Sequence, residues 1–253
     1  MKTSLDCLLD RLKGGYQFSL FKDLGVLALF TDRHDNFSFR NNHAPSVLKA
    51  RHDFLGQVGI NFKDLICVKQ VHSSRVSLVT EIERGKGSQD FDSALVFSDG
   101  IITDVKKLPI AIFIADCLAI YFFDPAHNSI GIIHAGWRGS AQKISLKVIE
   151  LMNEHFSCRP QDLIVAFSPS IRSCCYAVGL DMRDYFVESL IEKEGKLFLD
   201  LALENKNQLL SAGVKEENII DSRICTSCHN EEFFSYRKEG EKAGRMMAVI
   251  SME

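Results

Sequence analysis

Three side chains in this sequence could together hold a metal ion: His72, Cys117 and His134. Imidazole nitrogen and thiolate sulfur suit Zn²⁺, and three protein ligands leave a fourth tetrahedral position open, the arrangement of catalytic zinc rather than structural zinc. The three lie 45 and 17 residues apart, so no local spacing rule joins them. Taken alone, the two histidines also read as hydrogen-bonded loop residues and Cys117 as a small buried hydrophobe. Beside His134 stands Ala135-Gly136-Trp137-Arg138-Gly139, a glycine-broken turn carrying the only tryptophan and a cation. Backbone N–H groups from Gly136 to Gly139 at a helix start, with Arg138 beside them, would suit an anion such as phosphate. Asp116, next to Cys117, is the nearest carboxylate in sequence. It has two equal candidate roles, carrying a proton or orienting a histidine ligand.

Those residues need strands that end together. Pro109 to Ala115, Ala119 to Phe123 and Ser129 to His134 read as strands, the last two joined by a turn at Asp124-Pro125. His72 falls at a bend between Leu65 to Val68 and Val76 to Val79. An amphipathic helix is expected from Ser140 to Glu154, another from Pro45 to about Gly56, and a short one over Ser4 to Lys13. Tyr16 to Phe21, Val26 to Phe30, Leu163 to Phe167, Ile219-Ile220 and Met246 to Ile250 complete the strands. Thr31 to His43 and Ile82 to Asp92 read as loops. Asp181 to Glu192 and Leu197 to Ala212 read as helices, the second ended by Gly213. With no repeat, low-complexity stretch or linker, residues 1–253 form one expected domain mixing helices and strands.

The 253 residues, 46% apolar and 25% charged, suffice for a substantial core. A net charge of -3 with mixed signs gives no general attraction to nucleic acid or an anionic membrane. Met1 to Gly15 lacks the apolar core of a signal peptide, and no apolar run nears the ~18 residues of a membrane span. A cytoplasmic protein, monomeric or weakly dimeric, is therefore expected. The eight cysteines then read as free thiols or metal ligands rather than disulfides. Cys225-Thr226-Ser227-Cys228-His229 matches the haem-attachment pattern C-x-x-C-H, but haem attachment belongs to exported proteins. As half of a zinc site with Cys174-Cys175, its spacing departs from a standard ribbon.

Seven blocks in order resemble the YfiH family, also called the DUF152, laccase-domain or multicopper polyphenol oxidase family. They are Gln70-Val71-His72, Ala115-Asp116-Cys117, His134 to Gly139, Ser173 to Gly179, Cys225-Thr226, Phe233 to Arg237 and Gly244-Arg245-Met246. The similarity runs from about residue 30 to 250. It implies an α+β fold of four layers, α/β/β/α with mixed β-sheets, shared with a toxin deamidase. It implies a metal site of His72, Cys117 and His134 and a buried Cys225 near the active site. It further implies phosphorolysis of adenosine, inosine, guanosine and methylthioadenosine, with purine nucleosides and phosphate as substrates, and hydrolytic deamination of adenosine. Some bacterial relatives are linked to peptidoglycan editing. The family's early Thr-x-Arg-x-Gly-Gly-x-Ser stands here as Thr31 to Ser38 with the paired glycines replaced by Asp35-Asn36. Arg33 survives in that segment as a further candidate for binding phosphate.

Two rival chemistries follow from the same residues. A copper oxidase with a trinuclear cluster needs paired His-x-His motifs, and the eight histidines contain none. Cu²⁺ can still occupy a His/Cys site by affinity alone. A cysteine hydrolase or deamidase would use Cys117 as nucleophile with His134 or His72 as base.

Overall fold

The computed structural model describes residues 8–39 and 44–253. One six-stranded sheet runs β1 (Leu9–Leu12), β2 (Gly15–Phe18), β3 (Val26–Thr31), β15 (Met246–Met252), β7 (Ile110–Ile114) and β4 (Ile66–Cys67). A second runs β14 (Ile219–Asp221), β10 (Ile164–Phe167), β8 (Leu118–Asp124), β9 (Ser129–Ala135), β6 (Gly100–Thr103) and β5 (Val76–Leu78). A small third sheet has the order β11 (Ala177–Val178), β13 (Lys196–Leu199) and β12 (Leu190–Lys193). The helices are α1 (Ser19–Asp23), α2 (Ala44–Gly56), α3 (Trp137–Ala141), α4 (Ile144–Phe156), α5 (Leu201–Ser211) and α6 (Tyr236–Glu239).

Alternation along the strands builds the layers, because successive side chains point to opposite faces. Ile110, Ile112 and Ile114 of β7 and Ala248 and Ile250 of β15 meet Ala119 and Tyr121 of β8 and Ile130 and Ile132 of β9 in one core between the large sheets. The intervening residues face outward. Leu29, Ala111, Met247 and Val249 pack on Ala50, Phe54 and Leu55 of α2. Leu118, Ile120, Phe122 and Ile133 pack on Val148, Ile149 and Met152 of α4 and Leu209 of α5. The result is helix, sheet, sheet, helix, with parallel and antiparallel pairs in both large sheets. The four-layer expectation therefore holds. Tyr121 also links the sheets by donating its hydroxyl to the Leu29 carbonyl at 2.6 Å.

Several local expectations fail. The N-terminal helix is replaced, at Leu9–Leu12, by the first strand of a hairpin that turns at Gly14 with φ +84. The part of that segment before residue 8 lies outside the described residues, as do residues 40–43 of the early loop. The strand expected over Tyr16 to Phe21 stops at Phe18, where α1 begins. The helix expected over Asp181 to Glu192 is a 3-10 turn, Leu180–Asp184, followed by β12. Leu197–Leu199 belongs to β13, and α5 begins only after Asp200, whose carboxylate accepts the Leu203 N–H at 3.0 Å. The helix after Trp137 is broken into α3 and α4 by Lys143, held at φ +59. Among the described residues no helix is long and apolar enough to cross a membrane.

Candidate metal centre

Sheet pairing brings two of the three candidate ligands together. Ala119 pairs with His134 and Leu118 with Ala135, so Cys117, just before β8, lies diagonally across from His134. His134 keeps the parity of Ile130 and Ile132, which turns its ring toward the space between the sheets. The β7–β8 turn that delivers Cys117 is sharp, with Asp116 at φ +81. His72 arrives from the loop between β4 and β5, itself in the left-handed region at φ +60. Ligand atoms of His72, Cys117 and His134 all lie within 4.8 Å of one another, and the two imidazoles meet edge to face at 4.9 Å between centroids.

Asp99, fully buried, holds this arrangement in place. It sits immediately before β6, and Gly100 pairs with Ile133 of β9, so its carboxylate reaches Nδ1 of His134 at 3.0 Å. The same carboxylate accepts the backbone N–H groups of Val71, His72 and Ser73 at 3.2, 3.0 and 2.7 Å and the Ser73 hydroxyl at 2.8 Å. One acid thus shapes the His72 loop and fixes the His134 ring, leaving Nε2 of His134 to face the centre. Burial opposes its charge, but the bonds from His134 and Ser73 prevail and bring Asp99 down to about 2. Asp99 was not among the residues singled out from sequence. Asp116, considered there for orienting a histidine, instead accepts the Thr226 hydroxyl at 2.6 Å, the Ser235 hydroxyl at 3.0 Å and the Arg237 N–H at 2.6 Å. The histidine-orienting carboxylate is Asp99.

The donor set fits a zinc ion. A Cβ added to Gly136 would lie 3.0 Å from Cys117 Sγ, 3.5 Å from His72 Cδ2 and 3.8 Å from His134 Cε1, so all three side chains border one small space beside that glycine. Gly139 has a different reason to be bare: its Cβ would stand 3.1 Å from the Ser73 carbonyl, where α3 abuts the His72 loop. In the metal-free state Cys117 and His134 charge each other. Burial would raise the thiol, yet the His134 charge and its hydrogen bond, helped by His72, bring Cys117 down to about 6. Burial would likewise lower His134, but the Cys117 thiolate and Asp99 lift it to about 9.

These residues open on a cavity of about 1410 Å³. Arg138 lines it, its guanidinium 4.3 Å above the Trp137 ring, as do Tyr176, Tyr236 and Arg237. Arg51 lines it too, though buried, and is held by the Phe37, Gly87 and Ser88 carbonyls. Gln70 seals the nearby sheet edge by bonding both backbone groups of Phe113 at 2.8 Å. Arg33 is not brought to this cavity. It pairs with Glu239 at 2.7 Å, bonds the Asn230 carbonyl and stacks on Phe234.

The model of a family described as multi-copper polyphenol oxidoreductase laccase matches residues 30–253. A purine nucleoside phosphorylase, YlmD of Geobacillus stearothermophilus, is 38% identical over 194 residues, covering 73% of this chain and 71% of its own. Adenosine deaminase RL5, from an unknown prokaryotic organism, is 31% identical over 217 residues, 81% of each chain. The crystal structure of YlmD from Geobacillus stearothermophilus matches with a TM-score of 0.93 at 30% identity, covering 97% of this chain and 99% of that one. That of the Bacillus licheniformis hypothetical protein YfiH gives 0.92 at 28%, with the same coverage. On sequence and fold together, this chain belongs to the YfiH, or multi-copper polyphenol oxidoreductase laccase, family.

Proposed function

We propose that this protein is a purine nucleoside enzyme that cleaves adenosine, inosine, guanosine and methylthioadenosine with phosphate and deaminates adenosine with water, at a zinc centre of His72, Cys117 and His134. The observation that carries it is the convergence of those three side chains and their buried partner Asp99 on a large cavity, in a chain similar to proteins named for both activities. When bound, the ion would supply Lewis acidity to a water or a substrate oxygen.

The chain's own residues divide the remaining work. Asp99 holds Nδ1 of His134 and the His72 loop, so the donor atoms are preset. Arg138, exposed at the cavity mouth and braced on Trp137, offers charge for phosphate beside the Gly136 and Gly139 backbone. Arg33 supports the cavity indirectly, since its partner Glu239 accepts the Ser235 N–H at 3.1 Å and Ser235 in turn donates to Asp116. Asp116 keeps the proton-carrying role: it lines the cavity, and its Oδ1 accepts a single hydrogen bond, from Thr226, among the described residues. Zinc content of the purified chain and nucleoside turnover with and without phosphate test the reading together. About one zinc at this centre and phosphate-dependent release of free base are expected, and undiminished turnover after complete metal removal would overturn it.

A second reading has its own support. Cys117, His134 and Asp99 form a thiolate, imidazolium and carboxylate series, the order of groups in a cysteine hydrolase. Alkylation separates the two: a metal-held sulfur resists until a chelator is added, whereas a free nucleophile reacts at once.

A further inference from the structure

Away from the centre just described, two pairs of cysteines distant in sequence meet, Cys174 and Cys228 exposed, Cys175 half-buried and Cys225 buried. Cys174 and Cys175 lie in a turn after β10, where the N–H groups of Cys175 and Tyr176 both donate to the Arg172 carbonyl at 2.9 Å. Cys225 and Cys228 lie in a turn after β14, closed by the His229 N–H donating to the Cys225 carbonyl at 3.0 Å. A parallel bridge zips the two segments together, with Ser170 N–H on the Ile224 carbonyl at 3.2 Å and Thr226 N–H on the Ser170 carbonyl at 3.1 Å. All four sulfurs lie within 4.8 Å of one another, Cys228 being 3.5 Å from Cys174 and 3.4 Å from Cys175.

Those separations are far from the ~2.05 Å of a disulfide, and all four cysteines are free. The two shortest, 3.4 and 3.5 Å, fall a few tenths of an ångström below a different figure, and none exceeds it by more than about 1 Å. Four sulfurs at ~2.3 Å from a tetrahedral zinc stand about 3.8 Å apart along each edge.

We propose that Cys174, Cys175, Cys225 and Cys228 bind a second zinc ion, closed by four sulfurs and therefore structural. Its task follows from the neighbours of its ligands. Tyr176, adjoining Cys175, lines the large cavity, and Thr226, adjoining Cys225, donates to Asp116 at 2.6 Å. The ion ties these two parts of the cavity wall to each other. Binding releases thiol protons to solvent and needs no oxidant, since sulfur and zinc keep their oxidation states. This inference stands whether or not the neighbouring centre handles nucleosides.

The test is metal analysis of the full chain purified under reducing conditions with zinc present. The unaltered protein is expected to hold one zinc ion per chain more than Cys174→Ser/Cys228→Ser. Cobalt replacement gives a measurement independent of substitution. A four-thiolate Co²⁺ centre should show intense sulfur-to-metal absorption that persists in His72→Ala, where the other site is impaired. In the unaltered chain, chelation should also make four further thiols reactive besides Cys117. Equal zinc content in the unaltered protein and the double variant, no four-sulfur cobalt spectrum, or a disulfide among these cysteines in place of metal would each overturn the proposal.

Discussion

At the scale of single residues, the centre depends on which atom each side chain is free to offer. Asp99→Asn keeps the size of the side chain but removes the charge that holds Nδ1–H of His134, so zinc affinity should fall ~10–100-fold, measured by competition with a chromophoric chelator. In metal-stripped protein, the depressed Cys117 should set the pH profile of alkylation. Modification of this thiol should reach half its maximal rate near pH 6, where an ordinary cysteine would do so about 2.5 units higher. A midpoint near the ordinary value would contradict the thiolate–imidazolium pair. The sequence offered His72, Cys117 and His134 by residue type, but only the family resemblance joined them, because the joining force is strand pairing. Asp99 escaped notice for the same reason: its meaning depends on Gly100 lying opposite Ile133, a pairing between segments 33 residues apart in the chain.

At the scale of elements, the long apolar strands β7, β8, β9 and β15 were legible because alternation or a continuous apolar run marks them directly. The failures cluster where apolar spacing fits a helix but turn residues overrule it. Met182, Phe186 and Leu190 recur at helical intervals, yet Glu194 and Gly195 both adopt positive φ, +53 and +69, between the paired Lys193 and Lys196. That two-residue turn makes β12 and β13 a hairpin. Lys143 raises a comparable issue between α3 and α4, where a lysine occupies a left-handed backbone at φ +59 without a capping side-chain bond. Glycine takes that conformation without the Cβ penalty, so Lys143→Gly should stabilise the protein by about 0.5–1 kcal/mol, visible as a higher denaturant midpoint with unchanged m. A lower midpoint would show that the lysine side chain contributes more than its backbone strain removes.

At the scale of the whole molecule, two sheets face each other across one core and the centre sits where their strands end. Stability should therefore register the charge state of Asp99, which ties the β4–β5 loop to β6 and β9. Its folded value of about 2 lies below the ordinary carboxylate value, so its contribution is complete above about pH 4 and disappears as pH falls toward 2. The shift corresponds to on the order of 2 kcal/mol. Urea midpoints of the metal-free chain should fall through that window, and those of Asp99→Asn should fall less. The layered architecture was legible through the family resemblance, whereas the order of strands within each sheet was not. β15 lies between β3 and β7, although more than a hundred residues separate it from either in the chain. A nascent polypeptide that has emerged only as far as residue 245 already carries His72, Cys117 and His134, but the middle of its first sheet is a gap. Until the ribosome releases β15, β3 and β7 lack the strand that joins them, and chains stalled before it should be open to proteases along both.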